Sequence, residues 1–237
     1  MNRTDYEALR RYFDDADESM LRGNTSESGL FIYASHLLDR LQVKEGSKLL
    51  DLGCGDGLLM AMIQKMRPDL HIDGIEFSEN LARQARINNP RSNISVGNIL
   101  EIPMPATSYH CIFSFSFLQY ISPHDVQFLH RRLFKLLNPG GKILHCSVPD
   151  IRMRPVNIAE IQFRKFAYHA WWRTPLIILR SFLQNKHTRY GANTYWYDPL
   201  ELNRELSLLG KSAILPGDVY YRFDLDLIPH QDCLTDE

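Results

Sequence analysis

The stretch that most constrains this chain is SKLLDLGCGDGLLMAMIQKM, residues 47–66. A short apolar run ends in Asp51. Gly53, Gly55 and Gly57 follow within five positions, and a helical pattern begins directly behind them. An apolar run of that length bounded by glycines reads as a buried strand. Glycine reaches left-handed backbone angles at little steric cost and lets a ligand touch the main chain. A helix opening there offers N–H groups with no partner inside the helix. Strand, glycine turn and helix in that order make the ligand-binding corner of an open α/β sheet. A GxG triplet alone also serves as a plain tight turn, so the reading needs a second feature.

That feature is Glu76, at the end of the next apolar run, HIDGIEF, 19 residues after Gly57 (76 − 57). An acid at about this distance is where ribose hydroxyls are held. The pair points to an adenosine-type ligand. Dinucleotide sites use GxGxxG with a pyrophosphate on the helix N-terminus. Here the spacing is GxGxG and Asp51 stands directly before it, so an anion would be repelled and a cation would not.

The rest of the chain repeats the alternation. Helix is expected at 29–42, strand at 48–52, helix at 57–66 and strand at 70–76. Ser78 reads as the N-cap of a helix through SENLARQARINN. Strands are expected at 93–98 and 109–115. A helix follows with Ser122 as N-cap and Pro123 in its first turn, and NPGG ends it. KILHCSVP is the next strand, too apolar to be half-exposed. Strand–helix alternation of this kind implies a parallel sheet covered by helices on both faces. Beyond Pro149 the pattern is irregular. DPLELNRELSLLG then reads as a helix capped by Asp198 and stopped at Gly210, followed by short strands near 212–215 and 219–228.

LLDLGCGDG resembles the first motif of the class I S-adenosylmethionine-dependent methyltransferases, and GIEFSENLARQAR resembles their second. GNILEIP is similar to the segment after their third strand, where an acid or amide meets the adenine amine. IFSFSFLQYI and LNPGGKILHCSVPD resemble their fourth and fifth strands. The resemblance covers about residues 30–150. It implies a Rossmann-like, doubly wound, mostly parallel seven-stranded sheet with helices on both faces, and S-adenosyl-L-methionine as cofactor. It implies one domain over 1–237: an N-terminal helical cap (1–45), a cofactor-binding core (46–150), a helical lid insertion after the fifth strand (151–190) and a C-terminal helix and strand pair (191–237). The cofactor-binding residues it implies are Asp51, Gly53, Cys54, Gly55, Gly57, Glu76, Phe77, Ser78, Asn98, Ile99, Phe115 and Gln119. Asn98 departs from the family's usual aspartate. The tetrapeptide that marks many nucleic-acid N-methyltransferases, Asn/Asp-Pro-Pro-aromatic, is missing after the fourth strand, which counts against base amino methylation.

The chemistry implied is an in-line displacement at a carbon already activated by a sulfonium, where alignment does most of the work, about 7–11 kcal/mol of it. A base is needed only for a weakly acidic hydroxyl acceptor. His145 reads as a core histidine on a strand. His169, Tyr12, Tyr33 and Asp150 are further candidates, none decisive, and no catalytic base is assigned. Arg22, in a polar loop, is a candidate for the cofactor's carboxylate.

Residues 151–190 carry six Arg and two Lys against Glu160 alone, +7, while the whole chain is −1. Phe163, Phe166, Tyr168, Trp171, Trp172, Phe182 and Tyr190 interleave with those charges. Such a pattern fits phosphorylated or sugar-nucleotide acceptors, a membrane surface or RNA. Arg164 and Arg173, with Trp171 and Trp172, are the candidate acceptor residues. The expectation is a small-molecule or glycan-type acceptor, an anionic one included. An RNA or ribosomal methyltransferase and a nicotinamide-dependent oxidoreductase are the alternatives. Cys54, Cys111, Cys146 and Cys233 are scattered with no CxxC pair, so no metal site is expected and a reducing cytoplasm fits. The charged N-terminus is no signal peptide, and no apolar run nears the ~20 residues of a membrane span.

Overall fold

Alternating side chains decide how the sheet is buried. In β1 (Lys48–Leu52), Leu49 packs on one face with Phe113, Leu144 and Cys146, and Leu50 on the other with Ile112 and Ile143. Both faces are apolar, so both must be covered. The computed structural model describes residues 9–14, 26–103, 108–157, 187–189, 192–217 and 221–234. Helices α1 (Glu27–Leu41), α2 (Leu58–Met66) and α3 (Glu79–Asn88) cover the first face. Helices α4 (Val126–Phe134) and α5 (Pro199–Ser207) cover the second.

The remaining strands of the large sheet are β2 (His71–Glu76), β3 (Ile94–Val96), β4 (Tyr109–Phe115), β5 (Leu137–Pro149), β8 (Gly210–Pro216) and β9 (Arg222–Pro229). They form a seven-stranded sheet in the order β3-β2-β1-β4-β5-β9-β8. Pairs from β3 to β5 are parallel, and β9 runs antiparallel to both its neighbours. The strand order reverses between β1 and β4. A crevice opens there at the carboxyl ends, where open α/β sheets bind ligands.

Caps account for several boundaries. Ser78 Oγ accepts from the Leu81 N–H, and Asp198 Oδ1 accepts from those of Leu200 and Glu201, as expected. Ser122 departs in detail: it caps a 3₁₀ turn, Pro123–Asp125, that feeds α4. NPGG does not end that helix, which stops at Phe134. Leu137 already pairs with Tyr109, Asn138–Gly141 bulge out, and pairing resumes at Lys142 with Cys111. Apolar pairing therefore starts the strand before the glycines rather than after them. Residues 187–189, expected within a helical insertion, are a strand, β6 (His187–Arg189), paired with β7 (Ala192–Thr194).

Below the crevice lies a buried polar chain. Ser114 Oγ is 2.7 Å from His145 Nδ1, His145 Nε2 is 3.1 Å from His130 Nε2, and His130 Nδ1 is 2.7 Å from the Val126 carbonyl. A carbonyl only accepts, so His130 carries its proton on Nδ1. His145 must then donate from Nε2 and accept from Ser114. Both rings stay neutral: burial pulls His130 down to about 4 and His145 well below its ordinary value. His145 is thus a satisfied core histidine, as its place on a strand suggested.

Candidate functional site

A cavity of about 350 Å³ opens at the carboxyl ends of β1, β2 and β4. The glycine turn forms its floor. Gly53, Gly55 and Gly57 all have positive φ, 70°, 57° and 75°. Their roles differ. Around Gly55 there is open space, so the main chain is bare to the cavity. A Cβ on Gly53 would press on the Phe117 ring. Gly57 lies off the wall: a Cβ there would run into Asn89 and the Ala85 backbone, so its glycine serves helix packing. Asn88 and Asn89 at the end of α3 donate to the Asp56 and Gly57 carbonyls and hold the turn.

Glu76 stands where its spacing placed it. Its carboxylate takes backbone N–H groups from Gly55 (2.8 Å), Phe77 (2.8 Å) and Ser78 (2.9 Å). One side chain therefore ties the β1 turn to the β2 turn. A carboxylate has about four lone-pair positions, so three donors leave acceptor capacity for a hydroxyl. Burial raises its pKa, opposed by those three bonds. Asp51, 3% exposed, lies on the same wall; burial and Glu76 push its carboxyl up to about 8. Cys54 is also on the wall, its thiol pushed up by burial.

Phe77, Asn98, Ile99 and Phe115 line the cavity as expected. Asn98 uses its side chain in its own turn, accepting from Leu100 N–H and donating to Glu101. Ser78 and Gln119 do not line it. Ser78 is fully buried and donates to Asp14 at 2.6 Å, while Gln119 donates to the Ser116 carbonyl at 2.7 Å. Both act on the framework instead.

The wall also holds residues that spacing did not reveal. The helical segment 9–14 brings Leu9 and Phe13 over the opening. Phe13 meets Tyr120 edge-on at 5.3 Å, and Asp14 is latched to Ser78 and Asn80. Tyr33 on α1 packs tilted against Phe115, ring centres 4.9 Å apart, whereas Tyr12 packs on Phe13. Nothing local to Phe13 announces a contact with Ser78 and Tyr120. Asp150 binds Arg152 through both carboxylate oxygens and caps the turn after β5. Arg22, Arg164, His169, Trp171, Trp172 and Arg173 lie outside the described residues. Among the described residues no group of three or more His, Cys, Asp or Glu is placed to hold a metal, and no helix is long and apolar enough to cross a membrane.

An acid near the carboxyl end of each of two adjacent strands, over a bare glycine turn, makes a site at the switch point of an α/β sheet whose chemistry suits a cationic adenosine derivative. Comparison with known proteins agrees. Residues 49–141 match the family described as "Methyltransferase domain". The chain is 30% identical over 141 residues to a trans-aconitate 2-methyltransferase of Paracidovorax citrulli, covering 59% of this chain and 52% of that one. It therefore spans about half the length of the trans-aconitate relatives it matches. A demethylmenaquinone methyltransferase of Listeria welshimeri is 28% identical over 234 residues, 94% of this chain and 91% of that one. The solved structure of SAM-bound CalS10, an amino pentose methyltransferase of Micromonospora echinaspora, shares the fold with a TM-score of 0.63 at 13% identity, covering 90% of this chain and 96% of that one. The chain is thus similar to methyltransferases in sequence over residues 49–141 and to a SAM-bound methyltransferase in fold.

Proposed function

We propose that this protein transfers the methyl group of S-adenosylmethionine to a small-molecule or glycan-type acceptor. The observation that carries the reading is the pairing of Glu76 and Asp51 across the glycine turn. Glu76 accepts a ribose hydroxyl, the bare main chain at Gly55 takes the close approach of the cofactor, and Asp51 faces its positive charge. Asn98 and Ile99 border the adenine. Phe115, Phe117 and Tyr33 wall the side on which an acceptor meets the methyl group. The sulfonium supplies the activated carbon; the protein supplies alignment and keeps water out.

The chain is read as one unit over 1–237: a helical cap over 1–45, the core over 46–150, an acceptor-side lid over 151–190 and a closing helix and strand pair over 191–237. Arg164, Arg173, Trp171 and Trp172 belong to that lid. Relatives named for a tricarboxylate and a quinone precursor favour small acceptors over nucleic acid.

Calorimetry of S-adenosylmethionine binding tests the reading. Glu76→Ala removes a charged hydrogen-bond partner and should weaken binding by about ten- to 150-fold. Absence of binding by the wild type, or an unchanged affinity in the variant, overturns it.

A further inference from the structure

The charges around the site are divided. Among the described residues of the cavity wall, Asp51, Asp56 and Glu76 are acidic, and no lysine, arginine or histidine is present. An anionic group is repelled from that end. A guanidinium that reaches the wall belongs to Arg222, at the start of β9, where it pairs with Pro149 at the carboxyl end of β5. Half-buried, it reaches over two strands: Nη1 lies 3.5 Å from Ser116 Oγ and donates to the Ser147 carbonyl, and Nη2 lies 3.4 Å from Gln119 Oε1. Ser116 is itself on the cavity wall.

Backbone conformation marks the same corner. Ser116 (φ 55°) and Ser147 (φ 62°) have positive φ. Left-handed non-glycine residues carry a cost and concentrate at ligand clamps. Both flank Arg222, and Ser147 N–H is further held by the buried Asp224. The long contacts to Ser116 and Gln119 are to neutral oxygens, which a carboxylate or phosphate outcompetes for a guanidinium. The chain leaves β5 at this corner, where Asp150 accepts a main-chain bond from Arg152.

We infer that the acceptor carries an anionic group, carboxylate or phosphate, and that Arg222 together with Ser116 recognises it at the corner between β4 and β5. This rests on the methyltransferase reading and adds the acceptor's charge. The cofactor's cation takes the acidic end and the acceptor's anion the basic corner, so the two reactants are oriented by opposite fields.

The test loads the protein with S-adenosylhomocysteine and titrates citrate, benzoate and glucose 6-phosphate, each against its uncharged counterpart (trimethyl citrate, benzamide and glucose). At least one anion should bind about ten- to a hundredfold more tightly than its counterpart. Arg222→Gln should abolish that preference while leaving S-adenosylhomocysteine affinity intact, and Arg222→Lys should keep part of it. A purely structural arginine would lower both members of a pair alike. No preference for any anion in the wild type, or a preference that survives Arg222→Gln, overturns the inference. Failure of S-adenosylhomocysteine to bind at all would instead strike the methyltransferase reading.

Discussion

With S-adenosylmethionine as the proposed ligand, Asp51 should make binding a proton-releasing event. Burial and the nearby Glu76 lift its carboxyl from an ordinary 3.8 to about 8. At pH 7 the cofactor-free protein then holds it protonated about nine times in ten. A cation placed beside it stabilises the carboxylate, so the ionised form is the binding form and a proton leaves. Between pH 5.5 and 7.0 the ionised fraction climbs from about 0.3% to about 9%, and the Kd for S-adenosylmethionine should tighten about thirtyfold. The same group acts on folding. Its folded pKa lies above the unfolded one, so its contribution is fully present below about 3.8 and is lost as pH rises toward 8. At pH 7 that loss is roughly 4 kcal/mol. Asp51→Asn should flatten the pH dependence of Kd, abolish proton release and raise the Tm of the cofactor-free protein at neutral pH. Calorimetry in buffers of different ionisation enthalpy counts the protons, and thermal melts follow the stability. A wild-type Kd that is level from pH 5.5 to 7.0, or release of the same proton by the asparagine variant, refutes the argument.

Two glycine variants should separate site from scaffold. Gly55→Ala meets open space, so it should cost only about 1–2 kcal/mol of backbone strain yet weaken cofactor binding at least tenfold, read by melts and calorimetry side by side. Gly57→Ala adds a collision with α3 to that strain and should lower the Tm far more; equal melts for the two would contradict the assignment. The neutral His130–His145 pair predicts acid sensitivity. With His130 at about 4 against an ordinary 6.5, stability is intact above about pH 6.5 and falls as pH drops toward 4, by roughly 3 kcal/mol from His130 alone. Urea melts at pH 7.0 and 4.5 measure this, and equal stability at both would show that the rings are not held neutral.

What could be read from the sequence were features whose cause is local. The positive-φ turn at Gly53, Gly55 and Gly57 follows from the backbone preferences of a few adjacent residues, and the caps at Ser78 and Asp198 from a side chain reaching two or three positions ahead. Glu76 was legible because one strand–turn–helix–strand unit fixes its distance from the glycines. NPGG was misread because glycine interrupts a helix and bulges a strand alike; the pairing of Leu137 with Tyr109, 28 residues away (137 − 109), settles which. The tertiary structure alone decided contacts that depend on strand order. Arg222 meets Ser116 across 106 positions, Ser114 meets His145 across 31, and Asp14 latches Ser78 across 64. No local preference encodes such a pair. The first two exist because hydrogen-bond register and two buried apolar faces place β4, β5 and β9 side by side; the third exists because the segment 9–14 lies against the turn after β2.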